Sequence, residues 1–593
     1  MTKRYDRVIL LGASCLFLYI VLRAILLPAY YDELSTFYFH VRTGKLNPFL
    51  SDNDTNNHVL NSALTRFSYL LFGDSRLALR LPNVLAGATY LLYAWRMKRF
   101  FDSWVTAAGC FLLLTCPIYL FSFFSLCRGY GLSAAFLLGG CWHLLAYRQE
   151  FRQKDFIAGL LLLSCSLWSN LVVIIAVMAA GGIFFFLAAG EFRRHRDKKK
   201  AVRNGIFFLL FLVVPLVIAA VYSFRLNHSG ALTYFNPTDE GFASAVFFSL
   251  PYELALRQPG IAEVVFYGVL ALYVTAVIIQ LFRRRMNGAS LVAHLLFCSM
   301  LLGTILVHIC WHVPYPKERT ALHLYILFIL ALTFSLDRSW TFFRPVVFLP
   351  AAAFLLQLFQ SLNVSYAPAY PCETTPVTFY EKLLEWKKLH HQAPLVTARG
   401  LQAGVIRYYD FTNHSELNDV QEQNFPGRFA DFILLSGWDR VPLPGYDTVG
   451  QGPYAEILLR RKTPYPWKVM TETDRPSISS VENYILLDTL APDSFLHRPF
   501  CCTIGFRLQA ATEPFRGWIG CNICDSAGAP LVSQLTDLER LKRNYSRPER
   551  MEQRMFFDSI PQATRQIRFV FWNSGMIPVT ISDVHIIAGR GAE

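Results

Sequence analysis

The chain has 593 residues, 53% of them hydrophobic, with a formal net charge of +14 and a mean hydropathy of +0.32. Charged residues make up only 17%, below the roughly 25% of a soluble domain, and the apolar ones concentrate before residue 362, which excludes a wholly soluble protein. Much of the basic charge lies in short loops between apolar segments, so it points to membrane lipid rather than nucleic acid as its partner.

The first apolar segment, 8–28, follows Lys3, Arg4 and Arg7. It is too long for a signal-peptide core and no small-x-small cleavage site follows, so it reads as a retained transmembrane helix with a cytoplasmic N-terminus. It ends at Pro28-Ala-Tyr-Tyr-Asp32-Glu33, opening an outer loop over 29–60. Two adjacent carboxylates at a membrane edge are costly; they mark either the water boundary or a working site. Segment 58–75 has apolar residues at helical spacing among polar ones and reads as an amphipathic helix in the interface.

A second span, 77–95, ends at Arg96-Met-Lys98-Arg99, and a third, 104–122, leads to the outer turn Ser125-Leu-Cys127-Arg128-Gly129-Tyr130. A fourth covers 130–147. Stretch 156–190 has basic flanks on both sides, so it reads as two short helices turning near Ser169-Asn170. The cluster Arg193 to Lys200 is a lipid-anchoring face. Spans follow at 206–223, 261–281, 289–311, 320–336 and 345–362, eleven in all, with the C-terminus outside. The loop 225–260 carries Tyr234-Phe-Asn-Pro-Thr-Asp239-Glu240 and Pro251-Tyr-Glu253, and Arg283-Arg-Arg285 closes the 261–281 span. The outer turn before 320 carries Lys317-Glu318-Arg319.

The fold class is thus an α-helical polytopic membrane domain, 1–362, with an extracytoplasmic tail. Within the tail, 363–475 reads as an α/β unit, with a helix over 376–390 started by Pro376. Residues 476–593 read as a β-sandwich-like domain from alternating runs such as Ile567-Arg-Phe-Val-Phe-Trp and Val579-Thr-Ile-Ser. This domain reads as a spacer or lid, or as a sugar-binding unit through exposed aromatics such as Trp518. Eight of the thirteen cysteines, Cys15 to Cys310, read as packing residues in or beside apolar helices. The tail holds Cys372, Cys501, Cys502, Cys521 and Cys524; an external location favours disulfides over metal there.

Asp32, His58, Arg128, Lys317 and Arg319 are all expected on one side near one membrane plane. A carboxylate, an imidazole and several cations suit transfer of a group from a lipid-linked phosphate to a hydroxyl. Arginine and lysine hold the phosphate, and a carboxylate takes the proton of the acceptor. Inversion at a sugar carbon needs one such base, whereas a base that itself attacks gives retention. Neighbours at i and i+1 do not share a helix face, so one of Asp32 and Glu33 serves, and Asp32 is favoured. Taken singly, His58 also reads as an interfacial helix cap, and Arg128 and Arg319 as snorkelling anchors.

These residues carry a resemblance. Tyr31-Asp32-Glu33-Leu-Ser, Asn57-His58-Val-Leu-Asn61, Leu71-Phe-Gly-Asp-Ser-Arg-Leu-Ala-Leu-Arg80-Leu-Pro82, Arg128-Gly-Tyr130 and Glu318-Arg319 stand in order over residues 8–340. The chain resembles the GT-C superfamily of polytopic glycosyltransferases, in particular the bacterial group similar to protein mannosyltransferases and the aminoarabinose transferase of lipid A. The resemblance implies an inverting membrane glycosyltransferase of the cell envelope. Its donor is a polyprenyl-phosphate monosaccharide and its acceptor a glycan, lipid or protein. It implies Asp32 as catalytic base, with Glu33, His58, Arg128, Tyr130, Lys317, Glu318 and Arg319 binding substrate. The family's His-Pro-Pro or His-Pro-Leu falls on His58-Val-Leu60, where the proline is missing. Some relatives bind a divalent metal near the first outer loop; no ligand set stands out here, so no metal or cofactor is required on this reading. Localisation follows as the bacterial inner membrane, with the C-terminal region periplasmic. The competing class is a transporter or flippase of lipid-linked glycans, which favours polar mid-membrane helices and inverted repeats, neither of which is evident.

Overall fold

The computed structural model describes all residues except 1, 51–54, 233–240, 283–287, 371–372, 424, 440–442, 512–514, 542–544, 547, 592 and 593. The Tyr234–Glu240 motif, the Arg283–Arg285 cluster and Cys372 lie outside the described residues. The chain forms two compact units: Met1–Leu27 with Ser35–Ala369, and Pro28–Leu34 with Tyr370–Glu593.

The helices before residue 362 run in chain order α1 (Thr2–Leu26), α2 (Tyr31–Thr36), α3 (Val59–Phe72), α4 (Arg76–Arg96), α5 (Trp104–Thr115), α6 (Ile118–Ser122), α7 (Gly129–Glu150), α8 (Gln153–Ser169) and α9 (Ile174–His195), most of α2 grouping with the second unit. They continue with α10 (Lys198–Phe208), α11 (Val214–His228), α12 (Ser249–Leu254), α13 (Pro259–Phe282), α14 (Gly288–Trp311), α15 (Leu322–Arg338) and α16 (Phe348–Ser361). Among the described residues, eight helices are long and apolar enough to cross a membrane, or nine when the pair Trp104–Thr115 and Ile118–Ser125, bent by 56°, counts as one span. The protein is therefore a multi-pass membrane protein, with fewer unambiguous spans than the eleven expected. Two expected spans exist as helices but fall short for physical reasons. α4 has 21 residues yet carries Arg76, Arg80 and Asn83, and α8 has only 17. The expected break near Ser169-Asn170 is present: α8 stops there, and the Asn170 side chain accepts the Val172 N–H.

α7 and α15 are buried almost all round, while the other long helices present apolar side chains outward, as lipid-facing helices do. α3 is inverted relative to a soluble surface helix. Its polar Asn61, Ser62, Thr65 and Ser68 are buried, and its apolar Phe67, Leu70, Leu71 and Phe72 are exposed. That is the face arrangement of a helix lying against lipid.

Several arginines inside the bundle are fastening points. Arg76 and Arg80 stand one turn apart on α4, and both donate to the carbonyl of Leu27, at 2.8 and 3.0 Å. Arg80 also reaches the Ala24 carbonyl at 3.1 Å. These carbonyls close α1, where a helix leaves acceptors unpaired and its dipole favours a cation. Buried Arg23 donates to the Asn363 carbonyl at 2.7 Å and the Tyr366 carbonyl at 3.1 Å, tying α1 to the chain beyond α16. The cysteines of this unit divide: Cys110, Cys116, Cys127 and Cys141 are buried, but Cys15, Cys298 and Cys310 are exposed and so are not the packing residues expected.

The second unit starts with α17 (Val377–His390) and α18 (Gly400–Asn413) beside a sheet of order β1-β2-β4-β3, built from Val396–Thr397, Phe432–Leu435, Tyr446–Gln451 and Ile457–Arg461. β1 and β2 are parallel, and the other pairs antiparallel. The remaining strands, β5 (Trp467–Arg475), β6 (Ile478–Ser480), β7 (Tyr484–Leu490), β8 (Phe500–Ala510), β9 (Gly517–Cys524), β10 (Pro530–Asp537), β11 (Arg550–Phe557), β12 (Gln566–Asn573) and β13 (Val579–Gly591), form two sheets of order β10-β9-β12-β7 and β11-β8-β13-β5, with β6 pairing beside the path on β13. Both contribute to one apolar core that includes Phe506, Ile519, Phe569 and Ile586, which makes a β-sandwich. The outer edge of β11 is closed by side chains rather than a strand. Asn418 accepts from the Arg554 N–H at 3.0 Å, and Gln421 from the Phe556 N–H at 3.4 Å, which removes an exposed pairing edge.

The expected disulfides are not formed among the described tail cysteines. Cys501, Cys502, Cys521 and Cys524 are free and buried. Cys501 and Cys502 are sequence neighbours on β8 and so point to opposite faces. Cys502 and Cys521 meet as hydrogen-bonded thiols in the sandwich core.

Candidate functional site

In the first unit the sequence motifs converge where α3, α4 and α7 meet. Asn83 of α4 donates from Nδ2 to Asn61 Oδ1 at 2.7 Å, and its Oδ1 accepts the Leu132 N–H at 3.2 Å. That N–H belongs to the start of α7. Both asparagines are wholly buried. Asn57 Oδ1 accepts from Ser62 Oγ at 3.2 Å. The polar face of α3 is therefore spent mainly on α4: Thr65 and Ser68 donate to the Leu79 and Ala78 carbonyls at 3.3 and 2.6 Å, and Asn61 accepts from Asn83, which in turn holds Leu132 of α7.

Arg128 immediately precedes α7 and is only 2% exposed. It donates to Asn56 Oδ1 at 3.0 Å and lies 3.5 Å from Thr36 Oγ1, with its guanidinium 5.8 Å from the centre of the Tyr130 ring. Gly129 follows for a steric reason. A Cβ there would stand 1.9 Å from the Ser169 carbonyl oxygen and 2.7 Å from His58 Cγ. The bare backbone lets the end of α8, the start of α7 and the His58 ring close on one point.

His58 is the N-cap residue of α3, as the cap reading expects, but its side chain makes no capping hydrogen bond. The ring is 7% exposed, lies edge-on to Tyr130 at 5.1 Å between centres, and bonds to the Ser169 carbonyl. Burial is the main influence holding its pKa well below the ordinary value, and the nearby cations Arg128 and Arg319, with His40, add to it. His58 is therefore neutral at physiological pH. Arg319, like Arg128, thus lies near enough to the ring to act on its charge.

Arg319 sits in the 3₁₀ turn Glu318–Ala321 that leads into α15. The turn is fixed by the Lys317 N–H donating to Thr320 Oγ1 at 2.8 Å and the Glu318 N–H donating to Ser249 Oγ at 3.1 Å. Glu318 has φ of 50°, a left-handed conformation uncommon for a non-glycine residue. Beside it, Glu253 is buried and accepts both 3.0 and 3.2 Å bonds from Arg257 Nε. Burial, more than offsetting Arg257, raises the Glu253 pKa, and Glu318 raises it further. Arg257 and its neighbour Leu256 also have positive φ, 63° and 53°. Backbone strain of this kind clusters at working sites. Glu253 lay in the sequence as part of a loop motif, but nothing there predicted its pairing with Arg257 or its place beside the Arg319 turn.

Asp32 and Glu33 form the first turn of α2, in the segment that groups with the second unit. Glu33 is buried, and its Oε2 accepts the Tyr30 N–H at 3.2 Å; Asp32 is half-buried. The segment is seated on α18. The Ala29 N–H donates to the Tyr409 hydroxyl at 3.3 Å, and a Cβ on Gly404 would touch the Tyr31 ring at 3.3 Å. Tyr30 packs on Tyr370 at 5.5 Å. The structure thus gathers His58, Arg128, Tyr130 and Arg319 in one unit, with Lys317 and Glu318 on the turn that carries Arg319. It assigns Asp32 and Glu33 to the other. Among the described residues, no three His, Cys, Asp or Glu side chains converge as a metal ligand set.

Residues 59–218 match the family model of dolichyl-phosphate-mannose-protein mannosyltransferases. The match begins at α3 and ends within α11, and it bears out the resemblance read from the sequence motifs. No curated protein sequence matches the chain. Among solved structures, the chain is similar to ArnT from Cupriavidus metallidurans bound to undecaprenyl phosphate, at 12% identity and a TM-score of 0.45, covering 77% of this chain and 98% of that one. It is also similar to the arabinosyltransferase EmbB from Mycobacterium smegmatis, at 10% identity and a TM-score of 0.38, covering 98% of this chain and 64% of that one.

Proposed function

We propose that this chain is an inverting glycosyltransferase that moves a monosaccharide from a polyprenyl-phosphate carrier to a hydroxyl of a glycan, lipid or protein. The observation that carries the reading is that Arg128 and Arg319 both lie near enough to His58 to act on its charge. Each arginine stands at the start of a long helix, α7 or α15. Helix N-termini favour anions, and two guanidinium groups beside them suit a phosphate that must leave with its charge. The family model contributes the donor class, a polyprenyl-phosphate sugar.

In this mechanism Asp32 takes the proton of the acceptor hydroxyl as its oxygen attacks the anomeric carbon. The bond from that carbon to the phosphate oxygen breaks, and the phosphate leaves on its lipid, stabilised by Arg128 and Arg319. Glu33, His58, Tyr130, Lys317 and Glu318 bind or position substrate on this reading, and no metal is required. The chemistry is placed on the extracytoplasmic face of the bacterial inner membrane, with the N-terminus inside and the second unit outside. The test is incubation of purified protein in lipid with a panel of polyprenyl-phosphate sugars and membrane extract, following release of free lipid phosphate. Release with sugar transferred to the extract supports the reading. Movement of the sugar lipid across the bilayer without release would replace it with the transporter reading.

A further inference from the structure

The proposed reading leaves open what His58 contributes to a cluster otherwise suited to phosphate. Nε2 of His58 is buried and has no hydrogen-bond partner among the described residues. A buried polar nitrogen left without a partner is costly, and native structures rarely keep one without use. The ring's bond runs to the Ser169 carbonyl, which only accepts, so the nitrogen facing it carries the hydrogen. In a neutral imidazole the other nitrogen then offers a lone pair. Tyr130 and the bare backbone of Gly129 hold the ring in that orientation.

We infer that His58 Nε2 accepts a hydrogen bond from a substrate hydroxyl, so that the site joins a phosphate-holding pair of arginines to a hydroxyl reader. A phosphate oxygen cannot be its ligand, since both groups accept. A substrate ammonium is disfavoured by the neighbouring Arg128 and Arg319. A neutral hydroxyl, of the donor sugar or of the acceptor, satisfies both conditions. This inference rests on the transferase reading and deepens it.

The test compares wild type, His58→Phe and His58→Gln. Phenylalanine keeps a ring but removes the acceptor, and glutamine restores an acceptor near the Nε2 position. Affinity is measured by native mass spectrometry for undecaprenyl phosphate, and for the same lipid phosphate carrying mannose, glucose or arabinose. Transfer to membrane extract is measured alongside. If the hydroxyl belongs to the donor, His58→Phe weakens binding of the preferred sugar lipid about tenfold, as loss of one hydrogen bond allows, and leaves undecaprenyl phosphate unchanged. If it belongs to the acceptor, binding of both lipids is unchanged and transfer falls about tenfold. In either case His58→Gln recovers most of the loss. Equal weakening of both lipids, wild-type transfer by His58→Phe, or a His58→Gln variant no better than His58→Phe overturns the inference. Failure of the wild type to bind undecaprenyl phosphate at all instead overturns the transferase reading.

Discussion

Asn83 and Asn61 share a buried hydrogen bond of 2.7 Å, and the other end of the Asn83 amide holds the first turn of α7. Three helices thus depend on one side chain. Replacing Asn83 by Leu leaves the Asn61 oxygen and the Leu132 N–H without it, at a cost on the order of 1–3 kcal/mol. Thermal unfolding in detergent should show a clearly lowered midpoint. Adding Asn61→Leu should cost less than the sum of the single changes, because the two act through one bond.

Gly129→Ala tests the closure around His58. The new Cβ meets the Ser169 backbone oxygen at 1.9 Å, which no rotamer change relieves, so the ends of α7 and α8 must separate. Overpacking of this kind typically costs about 1–3 kcal/mol, and transferase activity should be lost with it. Gly182→Ala is the matched control, since no atom lies within 4 Å of that Cβ, and stability and activity should be kept. An active Gly129→Ala variant would contradict the geometry described.

Asp410 provides a pH test in the second unit. Burial lifts its pKa from 3.8 to about 7, against the opposing hydrogen bond from the Leu417 N–H. The folded state thus binds this proton more tightly than the unfolded chain. Its contribution to stability is full below the unfolded value near 3.8, falls as pH rises, and is gone above about 7. Asp410→Asn keeps an acceptor for Leu417 and cannot ionise. The variant should unfold at a higher temperature than wild type at pH 8, with the difference shrinking towards pH 4.

His58 gives the opposite sign. Its pKa is held below the ordinary 6.5, so its contribution to stability is present above 6.5 and is lost as pH falls. Wild type should lose stability between pH 7 and pH 5 more steeply than His58→Phe, in parallel melts. Equal slopes would mean that the ring is not held neutral.

Much of the helical unit was legible in the sequence because the bilayer imposes a simple code. Basic flanks on both sides of an apolar stretch demanded a turn, and Asn170 supplies it. The motifs around His58 and Arg128 were legible as neighbours for the same reason, since they fall at helix ends on one expected side. Other features depend on partners distant in the chain. Arg76 and Arg80 looked like parts of a span or its edge, and only the fold shows them closing α1. The grouping of Asp32 and Glu33 with the second unit rests on contacts to Tyr409 and Tyr370, hundreds of positions away in the chain. The tail cysteines suggested disulfides by compartment, but strand alternation separates Cys501 from Cys502, and cysteine spacing carries no such register.

The central claim is that Asp32 removes the proton of the acceptor as the sugar leaves its lipid phosphate. The most direct measurement is a single-turnover assay of lipid-phosphate release with transfer to membrane acceptor, wild type beside Asp32→Asn. Both proteins are first matched for folding and for undecaprenyl-phosphate binding. The account predicts that the variant binds the lipid normally and that its transfer rate falls by about 100-fold or more, the scale of a lost general base. Transfer by Asp32→Asn at the wild-type rate would contradict it.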